Sequence, residues 1–129
     1  MKRILSTVCI FAWAATATAT AAIPSASATN AIVGEAAGAP YAVKLAVAAA
    51  LRNRGHLRGV YGFQSAVTRT SPPNVWAEAA RAWTESARRD VTHGATHFGN
   101  AQDVAKGTFT GLKLTCTVGT GANKTFFFK

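Results

Sequence analysis

Acidic residues are scarce in this chain. Its 129 residues include five Asp and Glu against 14 Lys and Arg, for a formal charge of +9. Few positions can therefore carry carboxylate chemistry. Cysteine is scarcer still: only Cys9 and Cys116. Cys9 lies in an N-terminal apolar stretch that reads as removable, which leaves Cys116 without an intrachain partner. The domain must then hold together by its core alone, which about 100 residues can do, though with a small margin. A second long apolar run is also missing, so no membrane span is expected once the N-terminal stretch is gone. No glycine-rich phosphate loop precedes a helix, and no internal repeat is present. The basic residues lack the interleaved aromatics of a single-strand binder. His93 and His97 are four apart, but Gly94 separates them and no Glu follows His93, unlike the zincin helix pattern. The basic surroundings also disfavour a cation. Neither a metal nor a cofactor is expected.

What is present begins with a secretory leader. Lys2 and Arg3 form a positive n-region, Ile4 to Ala15 an apolar core, and Ala19-Thr20-Ala21 and Ala26-Ser27-Ala28 are candidate cleavage sites. The apolar core is short for a bilayer about 30 Å thick. The expected division is a leader over 1–28, cut near 21 or 28, and one folded domain over 29–129. The Ala/Thr/Ser tract from Ala14 to Thr29 reads as spacer. Removing Lys2 and Arg3 from the 14 cations leaves 12 against five anions, a formal +7. A basic secreted chain is drawn to polyanions, among them peptidoglycan carboxylates, teichoic acids and lipid head groups. Secretion argues against nucleic acid.

The periodicities predict an α+β domain, with about three helices and then a C-terminal β-hairpin. A short helix is expected over Ala31 to Ala37, stopping at Gly38. A second, apolar nearly all round and hence buried, spans Pro40 to Asn53 or Arg54. His56 to Pro73 reads as loop. A third helix spans Pro73 to Arg89, with Trp76, Ala79, Ala80, Trp83 and Ala87 on its apolar face. Leu112, Leu114, Cys116 and Val118 alternate with polar residues as a half-buried strand. A turn over Gly119 to Asn123 leads to a last strand at Thr125 to Phe128.

Among the acids, Glu78 and Glu85 have Arg81, Arg88 and Arg89 three or four residues away, the spacing of a solvated helix face. Asp90 follows a helix C-terminus, where the macrodipole opposes it, so another contact is needed to hold it: a turn, a cap or a site. Asp103 lies in a polar loop and reads as ordinary. Glu35 differs. From Ala31 to Ala39 no Lys or Arg can pair with it. A carboxylic acid in a small, apolar segment tends to keep its proton, because desolvation disfavours the charged form, and a general acid needs that property. An exposed glutamate near a helix start is the other reading, and spacing alone leaves both open. Cys116 with His97 makes a formal thiol–imidazole pair, but Cys116 falls on the apolar face of its strand, where a thiol packs as a small hydrophobe.

Several segments in order resemble the cell-wall hydrolase family of the spore cortex-lytic (SleB-like) type. They are Ala31-Ile32-Val33-Gly34-Glu35-Ala36-Ala37-Gly38, then Tyr41 with Val47 to Arg54 ending in Asn53-Arg54, then Gly59-Val60-Tyr61 with Phe63-Gln64. The block Asp90-Val91-Thr92-His93-Gly94-Ala95-Thr96-His97-Phe98 and the terminal Phe126-Phe127-Phe128 complete the series. Two family features are replaced: a tryptophan after the Gly-Ala block, where the nearest aromatic is Phe109, and a histidine before the last aromatics, where Lys124-Thr125 stand. The resemblance implies a lysozyme-like domain that cuts peptidoglycan glycan strands as a monomer, with Glu35 as the essential glutamate. It implies that the Asp90-to-Phe98 block lines the cleft opposite, and Tyr61, Phe63, Asp90, Thr92, His97 and Phe98 are the expected substrate-binding residues.

Glycosidases that invert or retain need two carboxylates, and Asp90 is the candidate for the second. The scarcity of acids favours a lytic transglycosylase, in which Glu35 serves first as acid and then as base toward the sugar's own hydroxyl. A non-catalytic basic envelope-binding protein is the alternative from another class, and a Cys116/His97 peptidase a third.

Overall fold

A computed structural model describes residues 22–62 and 65–129. The described part is α+β: five α-helices and a small antiparallel sheet. The helices are α1 (Ser25–Ala36), α2 (Tyr41–Arg54), α3 (Ala66–Thr70), α4 (Pro73–Ser86) and α5 (Ala101–Ala105). The strands are β1 (His97–Gly99), β2 (Leu114–Val118) and β3 (Thr125–Phe128), in the spatial order β1-β3-β2. No described helix is long and apolar enough to cross a membrane.

The core is where α1, α2 and α4 pack on one another. Every residue from Val43 to Leu51 is buried, as its near-absence of charge predicts. Alanines at 46, 48, 49 and 50, all buried, let neighbouring backbones approach closely. The one charge in that run, Lys44, is only 2 % exposed and is held by Glu78 of α4 at 3.0 Å and by the carbonyl of Ala39 at 2.5 Å. Glu78 therefore does not serve the i,i+3 pairing with Arg81 expected of it; a buried ammonium needs a partner more than an exposed guanidinium does. Arg81 instead stacks on the Tyr41 ring, 3.9 Å from its centre. Glu85 does pair with Arg89, at 3.2 Å, and also accepts the Tyr41 hydroxyl proton. Arg52 joins α2 to α4 by lying 3.8 Å over the Trp83 ring and donating to the Trp83 carbonyl at 2.6 Å.

Four sequence expectations change. Helix α1 starts at Ser25, inside the tract expected as spacer, because Ala28 and Ile23 reach the core. Helix α4 stops at Ser86, short of Arg89, and Ala80 and Ala87 are exposed. Helices α3 and α5 and strand β1 were not expected. The apolar alternation of β2 is broken by a bulge between Leu114 and Cys116, which reverses the faces; Leu112 and Leu114 are exposed as a result. Strand β3 takes the central place, pairing with β1 through Phe98↔Phe127 and with β2 through Cys116↔Phe127. Phe127 is fully buried.

A candidate active-site cleft around Glu35

Glu35 lies in the last turn of α1, not near a helix start. The negative end of the macrodipole opposes a carboxylate there. The compensation comes from another segment: the Gly62 amide donates to Glu35 Oε1 at 2.9 Å. Gly62 is required by close approach. A Cβ on it would lie 2.6 Å from Glu35 Oε1 and 2.6 Å from the carbonyl carbon of Gly34. Glu35 is exposed, so the dry surroundings expected of it are absent in the free protein, and only a ligand laid over it would supply them.

Two hollows meet at this carboxylate. The larger, about 680 Å³, is walled by Arg54, the Gly59–Gly62 segment, His97, Phe98, Thr108 and Phe109. The smaller, about 210 Å³, lies toward Val43, Asn100 and Lys124. Glu35, Phe98 and Asp103 border both, so the two hollows adjoin at this carboxylate. Tyr61 lines the larger hollow with 77 % of its surface exposed. Phe109 stacks on Phe128 with ring centres 4.5 Å apart. Gly99 leaves room for it: a Cβ there would come within 2.5 Å of the Phe109 ring.

Of the expected site residues, the fold brings Glu35, Tyr61, His97 and Phe98 together. Phe63 lies outside the described residues. Asp90 and Thr92 do not line the cleft. Thr92 is fully buried, and contact with a substrate is closed to it. Asp90 Oδ1 accepts the Thr92 amide at 2.8 Å and the Thr92 hydroxyl at 2.6 Å, while Oδ2 accepts Asn53 Nδ2 and the Gly94 amide, both at 2.9 Å. Partial burial pushes the Asp90 carboxyl up, but these donors outweigh it and hold it at about 2. Asn53 also donates to the Ala95 carbonyl at 3.0 Å. The Asp90 network thus fastens the loop before β1 to the end of α2, and it acts on the cleft only by placing His97 and Phe98.

Three cleft residues escaped the sequence reading as site candidates: Arg54, Asp103 and Phe109. Asp103 is tied into the start of α5, where its Oδ2 accepts the Asn100 amide at 3.1 Å and its own amide donates to Asn100 Oδ1 at 2.9 Å. Its other oxygen has no partner among the described residues. Cys116 and His97 do not meet: the thiol points to the Val91 carbonyl at 3.8 Å, and His97 Nδ1 pairs with the Thr96 hydroxyl at 2.9 Å. Among the described residues no three His, Cys, Asp or Glu side chains gather as metal ligands would. No protein-family profile, curated protein or solved structure matches this chain.

Proposed function

We propose that this chain is a secreted enzyme that cuts the glycan strands of peptidoglycan, with Glu35 as its general acid. One observation carries the reading. A carboxylate that accepts one backbone donor among the described residues stands where two hollows adjoin, an arrangement suited to cutting a polymer in mid-chain. Tyr61, Phe98 and Phe109 offer apolar faces for sugar rings.

A strand lying in the groove covers Glu35 and excludes water from it. Glu35 then gives its proton to the glycosidic oxygen of the muramic acid–glucosamine link as the bond to C1 breaks. The resulting carboxylate takes a proton from the C6 hydroxyl of the same sugar, whose oxygen closes on C1 and leaves an anhydro end. This lytic transglycosylase route needs one carboxylate. A hydrolytic route also has support, because Asp103 borders both hollows; its unpartnered oxygen would take a proton from the water that attacks C1.

Digestion of purified sacculi followed by mass analysis of the released fragments tests the proposal. Anhydro ends support the first route. Reducing ends, lost in Asp103→Asn, support the second. Release of no fragments by a protein that still sediments with sacculi would replace both with a non-catalytic envelope-binding role.

A further inference from the structure

The cleft is not electrically uniform. Arg54, the last residue of α2, reaches one end of the larger hollow, and His97 of β1 lies there with it. Nη2 of Arg54 donates to the Arg58 carbonyl, and no carboxylate forms a salt bridge with it among the described residues. A guanidinium has five N–H donors, so most of its capacity is unused. Burial lowers the proton affinity of Arg54. His97 is lowered by burial first, then by the positive charges of Arg54 and His56. Three basic side chains thus share one neighbourhood. Gly59 packs closely on the guanidinium: a Cβ there would stand 3.0 Å from Arg54 Nη2. With Nδ1 of His97 engaged by Thr96, Nε2 is its remaining polar atom.

We propose that the Arg54–His97 end of the groove is a carboxylate-binding subsite, which selects glycan strands carrying an acid group on a sugar bound beside Glu35. The inference rests on the glycan-cleaving reading and narrows its substrate class. Planar guanidinium and carboxylate match in a two-point hydrogen bond, and a partly buried cation gains more from a partner than an exposed one does. In peptidoglycan the acid group is either the lactyl carboxylate of an unsubstituted muramic acid or a carboxylate of its stem peptide. A strand of plain N-acetylglucosamine has neither, and a muramic acid closed to a lactam has lost the first.

Calorimetry with three probes tests this: chitotetraose, a disaccharide with free lactyl carboxylates, and a disaccharide-peptide. The intact protein is expected to bind at least one acidic probe about ten-fold or more tighter than chitotetraose, the range of a hydrogen bond to a charged group. Which acidic probe gains identifies the source of the carboxylate. Arg54→Gln should erase the difference, Arg54→Lys should restore part of it, and Arg88→Gln, far along the chain and exposed, should leave it intact. If Arg54→Gln proves unstable, His97→Gln takes its place with the same expected direction. Equal binding of all three probes by the unaltered protein overturns the subsite alone. Failure to bind any of them overturns the glycan-cleaving reading as well.

Discussion

Glu35 and Asp90 are both exposed carboxylates near the C-terminal ends of helices, yet their surroundings have little else in common. Asp90 receives four hydrogen bonds, from Thr92 twice, Asn53 and Gly94. Glu35 receives one among the described residues, from Gly62. A carboxylate saturated by donors is locked as an anion and is spent on holding a loop. A carboxylate with one donor and a groove on either side keeps an oxygen for a substrate. The count of donors separates two acids that sequence context leaves as rival site candidates.

Exchanging each acid for its amide gives the largest test of that contrast. Glu35→Gln should lower glycan cleavage by about 10²–10⁴-fold, the usual contribution of general acid catalysis, with an unchanged Tm. Asp90→Asn should leave the rate per folded molecule near normal. If the two variants lose activity alike, the separation drawn between them fails. Gly62→Val comes next. Its side chain must displace Glu35 or the α1 backbone, and a misplacement near 1 Å costs roughly 10²-fold in rate. The same overpacking should cost about 1–3 kcal/mol in stability.

Asp90→Ala should cost about 2 kcal/mol, less than four donors would imply in a buried setting because solvent screens an exposed group. The sign with pH follows from a folded value of about 2 that lies below the ordinary aspartate value near 4. The stabilisation is complete above about pH 4 and fades as pH falls toward 2. Urea midpoints of the parent and Asp90→Ala should therefore converge over that interval, and a constant gap would deny the network its role. Tyr61→Ala should show the smallest effect, about 1 kcal/mol or roughly five-fold in affinity for a glycan probe, with no change in stability, since the ring is so exposed.

The sequence made the α+β class, the buried second helix and the two terminal strands legible because α2 is a nearly charge-free apolar run and the turn residues of Gly119 to Asn123 divide the last two apolar segments. It hid the start of α1. The tract Ser25-Ala26-Ser27-Ala28-Thr29 has small side chains with little apolar contrast, and only packing reveals that Ala28 belongs to the core. Strand β1 is three residues long and is set by pairing with Phe126 to Phe128, a partner nearly thirty positions away. Glu35, Tyr61, His97 and Phe98, which line one hollow, were legible as candidates from the motifs around them. Asp103 and Phe109 were not, because each looks like an ordinary loop residue until α5 folds them against the groove. Thr92 and Asp90 misled for the opposite reason: a loop that must be held firmly has the same polar texture as one that touches a ligand.

Lys44 offers a different use of the fold. Its amine is sealed between α2 and α4, while Lys106, Lys113, Lys124 and Lys129 all face solvent. An acylating reagent will consume those four quickly and reach Lys44 only when the two helices part. Mass spectrometry of the slow acylation at Lys44 would therefore serve as a built-in clock for breathing of the helical core.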